Sequence, residues 1–322
     1  MPNFELRTGV KGLLGGLAAL LLAAACTVDA AQGEPAGTSA EGAGASDAVG
    51  RLEVLTTFTV LADMAREVGG EHVEVSSLTK VGAEIHGYEP TPADLRRAAS
   101  ADLVLDNGLG LEKWFEPFVA RLDAPHVTVS DGVEVLSIAS GAYDGRPNPH
   151  AWMSPVNGAF YARNIGEAFA AADPAHAADY RANAADYADR IEAVGRELAA
   201  EVEQVPAGSR VLVTCEGAFS YLARDVGLDE KFLWPVNADQ QGTPQQVAGV
   251  IDHVRDNGVR AVFCETTVSD SAQRQVAAET GATYAGTLYV DSLSQPDGDV
   301  PTYLDLLTYD ARIISEGLRG GS

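Results

Sequence analysis

The stretch Arg51-Leu-Glu-Val-Leu-Thr-Thr-Phe-Thr-Val-Leu-Ala-Asp-Met-Ala-Arg-Glu-Val-Gly-Gly-Glu-His-Val-Glu-Val-Ser-Ser-Leu78 reads as strand, helix, strand. Leu52 to Thr56 is strand-like, Val60 to Val68 follows a helical pattern, and Val73 to Leu78 is strand-like again. Pro92 to Ser100 is predicted helical, with Thr91 as cap and proline in the first turn, where its missing N–H costs nothing. Asp102–Asp106 is a strand, Glu112–Ala120 a helix and His126–Ser130 a strand. The second half repeats the alternation. A strand over Arg210–Thr214 leads to a helix after Gly217, a short strand near Phe232 and a helix from Pro244. Then come a strand over Arg260–Cys264, a helix from Ser271, a strand over Thr283–Leu288 and a final helix to Leu318. Such alternation predicts an α/β protein with parallel sheets of the doubly wound kind.

Between the halves, Tyr180, Ala184, Tyr187, Ile191, Val194, Leu198 and Val202 recur every three or four residues, the mark of a long amphipathic helix. Asp173-Pro174 starts it and Pro206 ends it. The expected architecture is two lobes, each a parallel sheet flanked by helices with its own core, joined by one long rigid helix with a ligand cleft between them. The N-terminal lobe takes residues 51–155, the linking helical segment 156–206 and the C-terminal lobe 207–322. A stiff helical joint predicts a small opening of the cleft.

Arg7 and Lys11 precede an apolar run from Leu13 to Ala25, too short for a membrane span and read as a signal peptide over residues 1–25. Leu22-Ala-Ala-Ala-Cys26 is compatible with lipidation of Cys26, although the leucine stands one place early, and ordinary cleavage near Ala25 is the alternative. Residues 26–50, rich in Ala, Gly, Ser, Glu and Pro, bury too little surface to offset their ordering entropy and read as a flexible tether. The chain carries a formal charge of −24, and −25 once the leader is removed (Arg7 and Lys11 against Glu5). So acidic a surface excludes nucleic acid as a partner and weakly concentrates cations.

Four residues capable of binding a metal, His86, His150, Glu216 and Asp291, sit at turns after strand-like or loop segments in both halves. His86 opens His-Gly-Tyr-Glu-Pro-Thr-Pro, and His150 stands in Asn-Pro-His-Ala-Trp, where Trp152 is placed to pack against it. Glu216 follows Val211-Leu-Val-Thr-Cys and Asp291 follows Tyr289-Val. Loops at the carboxyl ends of parallel strands are where α/β sheets place ligand groups. Two imidazoles and two carboxylates make a nitrogen/oxygen shell for a divalent ion, harder than the thiolate-rich shells of structural zinc. Spacing alone leaves other readings: Glu216 at the start of the next helix, Asp291 as N-cap of a helix from Ser292, and Glu265 as an ordinary helix-start carboxylate. His72, His126, His176 and His253 lack comparable settings and are not counted as ligands.

Taken with Ala101-Asp-Leu-Val-Leu-Asp-Asn-Gly-Leu109, Trp234-Pro-Val-Asn-Ala-Asp-Gln-Gln-Gly-Thr-Pro244, Glu265-Thr-Thr and Asp291-Ser-Leu, these motifs resemble the metal receptors of bacterial ABC importers, the manganese- and zinc-binding lipoproteins called cluster A-I. The resemblance covers nearly all of residues 52–318. It implies that His86 and His150 are ligands from the first half and Glu216 and Asp291 from the second, with Glu265 behind them as a hydrogen-bond acceptor. Zinc-type members usually carry histidine where this chain has Glu216, and a His-rich loop before the second ligand. Residues 123–149 contain only His126, so the chain is similar to the manganese subtype. The implied ligand is Mn(II), with Zn(II) or Fe(II) as alternatives. The implied partners are an ABC permease and its ATPase, with the chain a monomer held to the membrane by its lipid anchor alone, on the extracytoplasmic face. A metal-dependent enzyme with a two-histidine, one-carboxylate site and a surface adhesin are the rival readings. No H-E-x-x-H, G-x-S-x-G or P-loop pattern supports the former.

Cys215 and Cys264 each end a predicted strand of the second half. Adjacent strands come within disulfide range, but parallel strands rarely aim both Cβ atoms correctly, so two buried free thiols are expected, with a bridge tying the loop of Glu216 to Glu265 as the alternative.

Overall fold

A computed structural model describes residues 50–119, 124–139, 141–236 and 242–320. The leader, Cys26 and the tether up to residue 49 lie outside the described residues. Among the described residues no helix is long and apolar enough to cross a membrane.

The first half alternates β1 (Leu52–Thr56), α1 (Thr59–Gly69), β2 (Val73–Ser77), α2 (Pro92–Ser100), β3 (Leu103–Asp106), α3 (Glu116–Val119) and β4 (His126–Thr128). Its strands form one parallel sheet in the order β2-β1-β3-β4, with Leu52 opposite Val73 and Val54 opposite Leu103. Two long helices follow, α4 (Pro155–Ala172) and α5 (Ala177–Glu203). The second half runs β5 (Val211–Glu216), α6 (Ser220–Val226), β6 (Asp229–Trp234), α7 (Pro244–Asp256), β7 (Ala261–Glu265), α8 (Ser271–Thr280), β8 (Thr283–Leu288) and α9 (Tyr303–Leu318).

Local chemistry accounts for most of these boundaries. Thr91 accepts from the Asp94 amide while Asp94 reaches back to Thr91, a capping box that starts α2 where Pro92 suits the first turn. The predicted helix over Glu112–Ala120 shrinks to α3 because Glu112 turns inward. Its carboxylate accepts the amides of Asn107 and Gly108 and the hydroxyl of Thr57, so it serves the loop after β3 instead of a helix surface. No helix starts at Ser292, so Asp291 is no N-cap. The predicted linking helix is α5, 27 residues and about 40 Å long at 1.5 Å per residue. Its buried stripe is Tyr180, Ala184, Tyr187, Ala188, Ile191, Leu198 and Val202. It packs closely on α4 at Gly166, where a Cβ would lie 2.7 Å from the Ala184 methyl and 3.2 Å from the Tyr180 carbonyl.

Strands of the second half are covered on both faces, as period-two alternation requires. Val211, Val213 and Cys215 of β5 face one cluster with Val262 and Cys264 of β7, whereas Leu212 and Phe263 face the other. That other cluster runs from Val54 and Leu61 through Phe169, Tyr187 and Ile191 to Tyr303 and Ile314. One core is therefore shared between the halves through α1, α4, α5 and α9, while each half keeps a cluster of its own, Val211, Val213 and Cys215 in the second and Leu55, Leu78 and Val104 in the first. The C-terminal sheet is also divided, because β5 pairs with β6 and β7 with β8, both in parallel, while β5 and β7 share no ladder. The buried carboxamide of Gln273 spans that seam, donating to the carbonyls of Val213 at 3.1 Å and Phe263 at 2.8 Å.

A disulfide, Cys215–Cys264, also crosses the seam with its Cα atoms 4.9 Å apart. The expectation of two free thiols is thereby corrected. It assumed that the two strands shared a hydrogen-bonded ladder whose pleat would misdirect one Cβ. Separate ladders leave each strand free to turn its cysteine toward the other.

The turn from β5 into α6 is held by a half-buried carboxyl of β6, Glu230, which accepts from the Phe219 amide and the Ser220 hydroxyl. Burial pushes it up to about 7, and those two hydrogen bonds oppose the shift. A folded value above the unfolded one means that its stabilising contribution is present below about 4.5 and lost as pH rises through about 7. Glu230→Gln, which keeps one acceptor but cannot ionise, is expected to match the parent chain near pH 4.5. At pH 8 it should be more stable by up to about 3 kcal/mol, a shift in Tm on the order of 5 °C. Thermal unfolding at the two pH values checks this, and an equal effect at both would remove Glu230 ionisation as the cause.

Candidate metal centre

The loop between β2 and α2 carries His86 and is fixed from several sides. Gly82 donates its amide to the Ser292 hydroxyl at 2.6 Å, and the Trp114 indole donates to the Ile85 carbonyl at 2.8 Å. Glu84 accepts the amides of His86 at 2.6 Å and Gly87 at 2.8 Å, so its carboxylate clamps the turn at the imidazole. The His86 side chain is 6% exposed and lines a cavity of about 430 Å³ that Leu111, Ile138, Pro149 and Val236 also line.

His150 is fully buried just before α4, and Asn148 positions it. The Asn148 side-chain oxygen accepts both the His150 amide and His150 Nδ1 at 3.0 Å, which makes Nδ1 the protonated nitrogen and leaves the Nε2 lone pair for a ligand. The Asn148 amide group donates in turn to the Gly217 carbonyl at 2.8 Å, joining this segment to the end of β5. Asn107 donates to the Pro149 carbonyl, and the Tyr221 hydroxyl to the Asn148 carbonyl. Trp152 packs its ring 5.2 Å from the His150 ring.

Glu216 ends β5 opposite Trp234 of β6 and is fully buried. The chain turns directly after it at Gly217, where a Cβ would sit 2.8 Å from the Pro235 carbonyl oxygen. The Glu216 amide donates to Glu265 at 3.2 Å, so Glu265, at the end of β7, steadies the backbone beneath Glu216. Asp291 follows β8, is 1% exposed, and accepts the Thr267 hydroxyl at 3.2 Å through Oδ2.

These positions converge in two overlapping trios. Ligating atoms of His86, His150 and Glu216 lie within 4.8 Å of one another, as do those of Glu84, His86 and Asp291. The two imidazoles meet Nε2 to Nε2 at 3.0 Å, and Glu216 Oε1 lies 3.5 Å from His86 and 3.7 Å from His150. Asp291 thus joins the group through His86, on the side of Glu84. Burial lowers His86 to about 4 and holds His150 well below its ordinary value, with His86 reinforcing the latter. Both rings are therefore neutral at pH 7 and able to donate lone pairs. Burial raises Asp291, Glu84 adds to that, and Glu265 is pushed up to about 8 mainly by burial. Together the trios offer nitrogen and carboxylate oxygen to a divalent cation, the donor types suited to first-row metals. Cys215 and Cys264 also lie beside Glu265, but their sulfurs are bonded to each other and offer no thiolate.

Histidines not counted as ligands sit elsewhere. His72 stacks on His176 with ring centroids 3.9 Å apart, His126 pairs with Asp106, and His253 lies beside Asn257. The sequence reading missed Glu84, Asn148 and Thr267 as site residues. Glu84 and Asn148 each stand two residues before a singled-out histidine, a spacing that brings a side chain back to the local backbone.

Residues 54–317 match the family ZnuA, described as zinc-uptake complex component A, periplasmic. The chain is 50% identical over 273 residues to the iron-binding protein YfeA of Yersinia pestis, covering 84% of this chain and 88% of that one. It is 29% identical over 313 residues to the manganese ABC transporter substrate-binding lipoprotein PsaA of Streptococcus anginosus, covering 95% and 98%. The Mn-bound periplasmic metal binding protein of Candidatus Liberibacter asiaticus superposes with a TM-score of 0.78 at 38% identity, covering 83% of this chain and all of that one. The chain belongs to the ZnuA (cluster A-I) family of metal-binding, substrate-binding proteins of ABC importers, which are solute receptors and not enzymes.

Proposed function

We propose that this chain captures Mn(II) with His86, His150, Glu216 and Asp291 and delivers it, as a monomer lipid-anchored at Cys26 on the extracytoplasmic face, to an ABC permease driven by its ATPase. The observation that carries the reading is the meeting of two buried, neutral imidazoles, held on loops of the first half, with a fully buried glutamate at the end of β5 in the second. Carboxylate oxygen at position 216 suits Mn(II) better than a third imidazole would. The general affinity order still favours zinc, so selectivity rests on the shape of the shell and on what the importer releases. Fe(II) is the second reading, favoured by the 50% identity to an iron-binding relative. Elemental analysis of protein loaded anaerobically with Mn, Fe and Zn together, paired with metal uptake by a strain lacking the protein, tests both. A chain that retains none of them would sink the proposal.

Replacing the oxygen ligand by imidazole, Glu216→His, is expected to move the Mn/Zn affinity ratio toward zinc by about tenfold. Competition titrations before and after the substitution measure it. An unchanged ratio would mean that position 216 does not set selectivity.

A further inference from the structure

We propose that Glu84, His86 and Asp291 form an outer metal station, where a hydrated divalent cation is first held before it passes to the inner trio of His86, His150 and Glu216. This inference rests on the receptor reading above and adds to it a residue and an order of events. Exposure falls along the route: Glu84 is partly exposed, His86 is 6% exposed, Asp291 1%, and His150 and Glu216 are sealed. An ion arriving from water meets Glu84 and His86 before it can reach His150.

The outer trio is built to receive a cation. Glu84 and Asp291 bring two carboxylates within 4.8 Å of each other and of a His86 nitrogen, an arrangement that like charges resist unless a proton or a cation lies between them. The Glu84 oxygens already accept two backbone amides, which aligns the carboxylate and leaves each oxygen a lone pair. Asp291 presents a buried oxygen, Oδ1, that has no hydrogen-bond partner among the described residues, while Thr267 holds Oδ2. A buried acceptor without a donor is costly, and a cation satisfies it.

Transfer is then an exchange of ligands. The ion keeps His86 and Asp291, gives up Glu84, and gains His150 and Glu216. Water leaves as protein atoms replace it, so the charge is never stripped of its shell in one step.

Stopped-flow mixing with Mn²⁺, read by fluorescence of Trp114 and Trp152 beside the two histidines, tests the first step. Glu84→Gln keeps an oxygen for one of the clamped amides but loses the charge, and should slow association about tenfold. Glu84→Asp should recover part of that rate. Equilibrium titration tests the station itself: His150→Ala, with the inner trio broken, should still bind Mn²⁺ weakly at one equivalent. The double variant Glu84→Gln/His150→Ala should lose that binding. Equal association rates for parent and Glu84→Gln, or residual binding indifferent to Glu84, would overturn the proposal. If His150→Ala fails to fold, the rates of the Glu84 variants alone decide. A parent chain that binds no Mn²⁺ would instead defeat the receptor reading.

Discussion

Mn²⁺ affinity is expected to fall by more than about a hundredfold in His150→Ala, because loss of groups that merely orient a ligand already costs 10–100-fold in metal sites. His150 is sealed from water, its Nδ1 is committed to Asn148, and its Nε2 faces His86 and Glu216. No neighbouring side chain can replace that lone pair. The rise in melting temperature that metal confers should shrink with it. An ion at a thousandfold excess over its Kd stabilises the native chain by about 4 kcal/mol, and the increment scales with the logarithm of affinity. His126→Ala is the matched control: that ring pairs with Asp106 away from both trios, so Mn²⁺ binding should not change. Calorimetric titration of both variants decides, and parental affinity in His150→Ala would remove it from the site.

The alternation of elements was legible because each segment's pattern is local. Strands such as Val211–Glu216, buried on both faces, read as apolar runs, and α5 displays its stripe over many turns. The candidate ligands were legible through loops with strong turn chemistry at strand ends. Pairings set by tertiary packing were not. Nothing in the spacing of Cys215 and Cys264 says whether β5 and β7 share a ladder, and that single fact decides where their sulfurs point. Glu112 looked like a helix surface residue, because its destination is set by the path of the chain: it turns back on the amides of Asn107 and Gly108 in the loop after β3 and meets the Thr57 hydroxyl from a distant part of the sequence. Asp291 was read as completing one shell with the other three residues. The structure also sets it beside Glu84, a grouping fixed by the loop that Ser292 ties down through Gly82.

The largest loss of stability is expected at Trp152. Its ring is fully buried, packed 4.9 Å from Phe58 on one side and 5.2 Å from His150 on another. Its indole N–H donates to the Val290 carbonyl at 3.1 Å, one residue before Asp291, and its own carbonyl accepts the Tyr303 hydroxyl. One side chain therefore ties the segment of His150 to the segment of Asp291. Trp152→Ala should cost about 3–5 kcal/mol, the range for emptying so large a buried site. That corresponds to a fall in Tm on the order of 10 °C. Trp152→Phe separates filling from tying, since it keeps a ring against Phe58 but leaves the Val290 carbonyl without its donor, a loss of about 1–3 kcal/mol. If the tie matters to capture, Phe restores most of the stability while Mn²⁺ affinity stays about tenfold low, the effect of losing a group that orients ligands. Should Phe restore both, Trp152 serves only to fill the core, and Asp291 is positioned by Thr267 and its own loop.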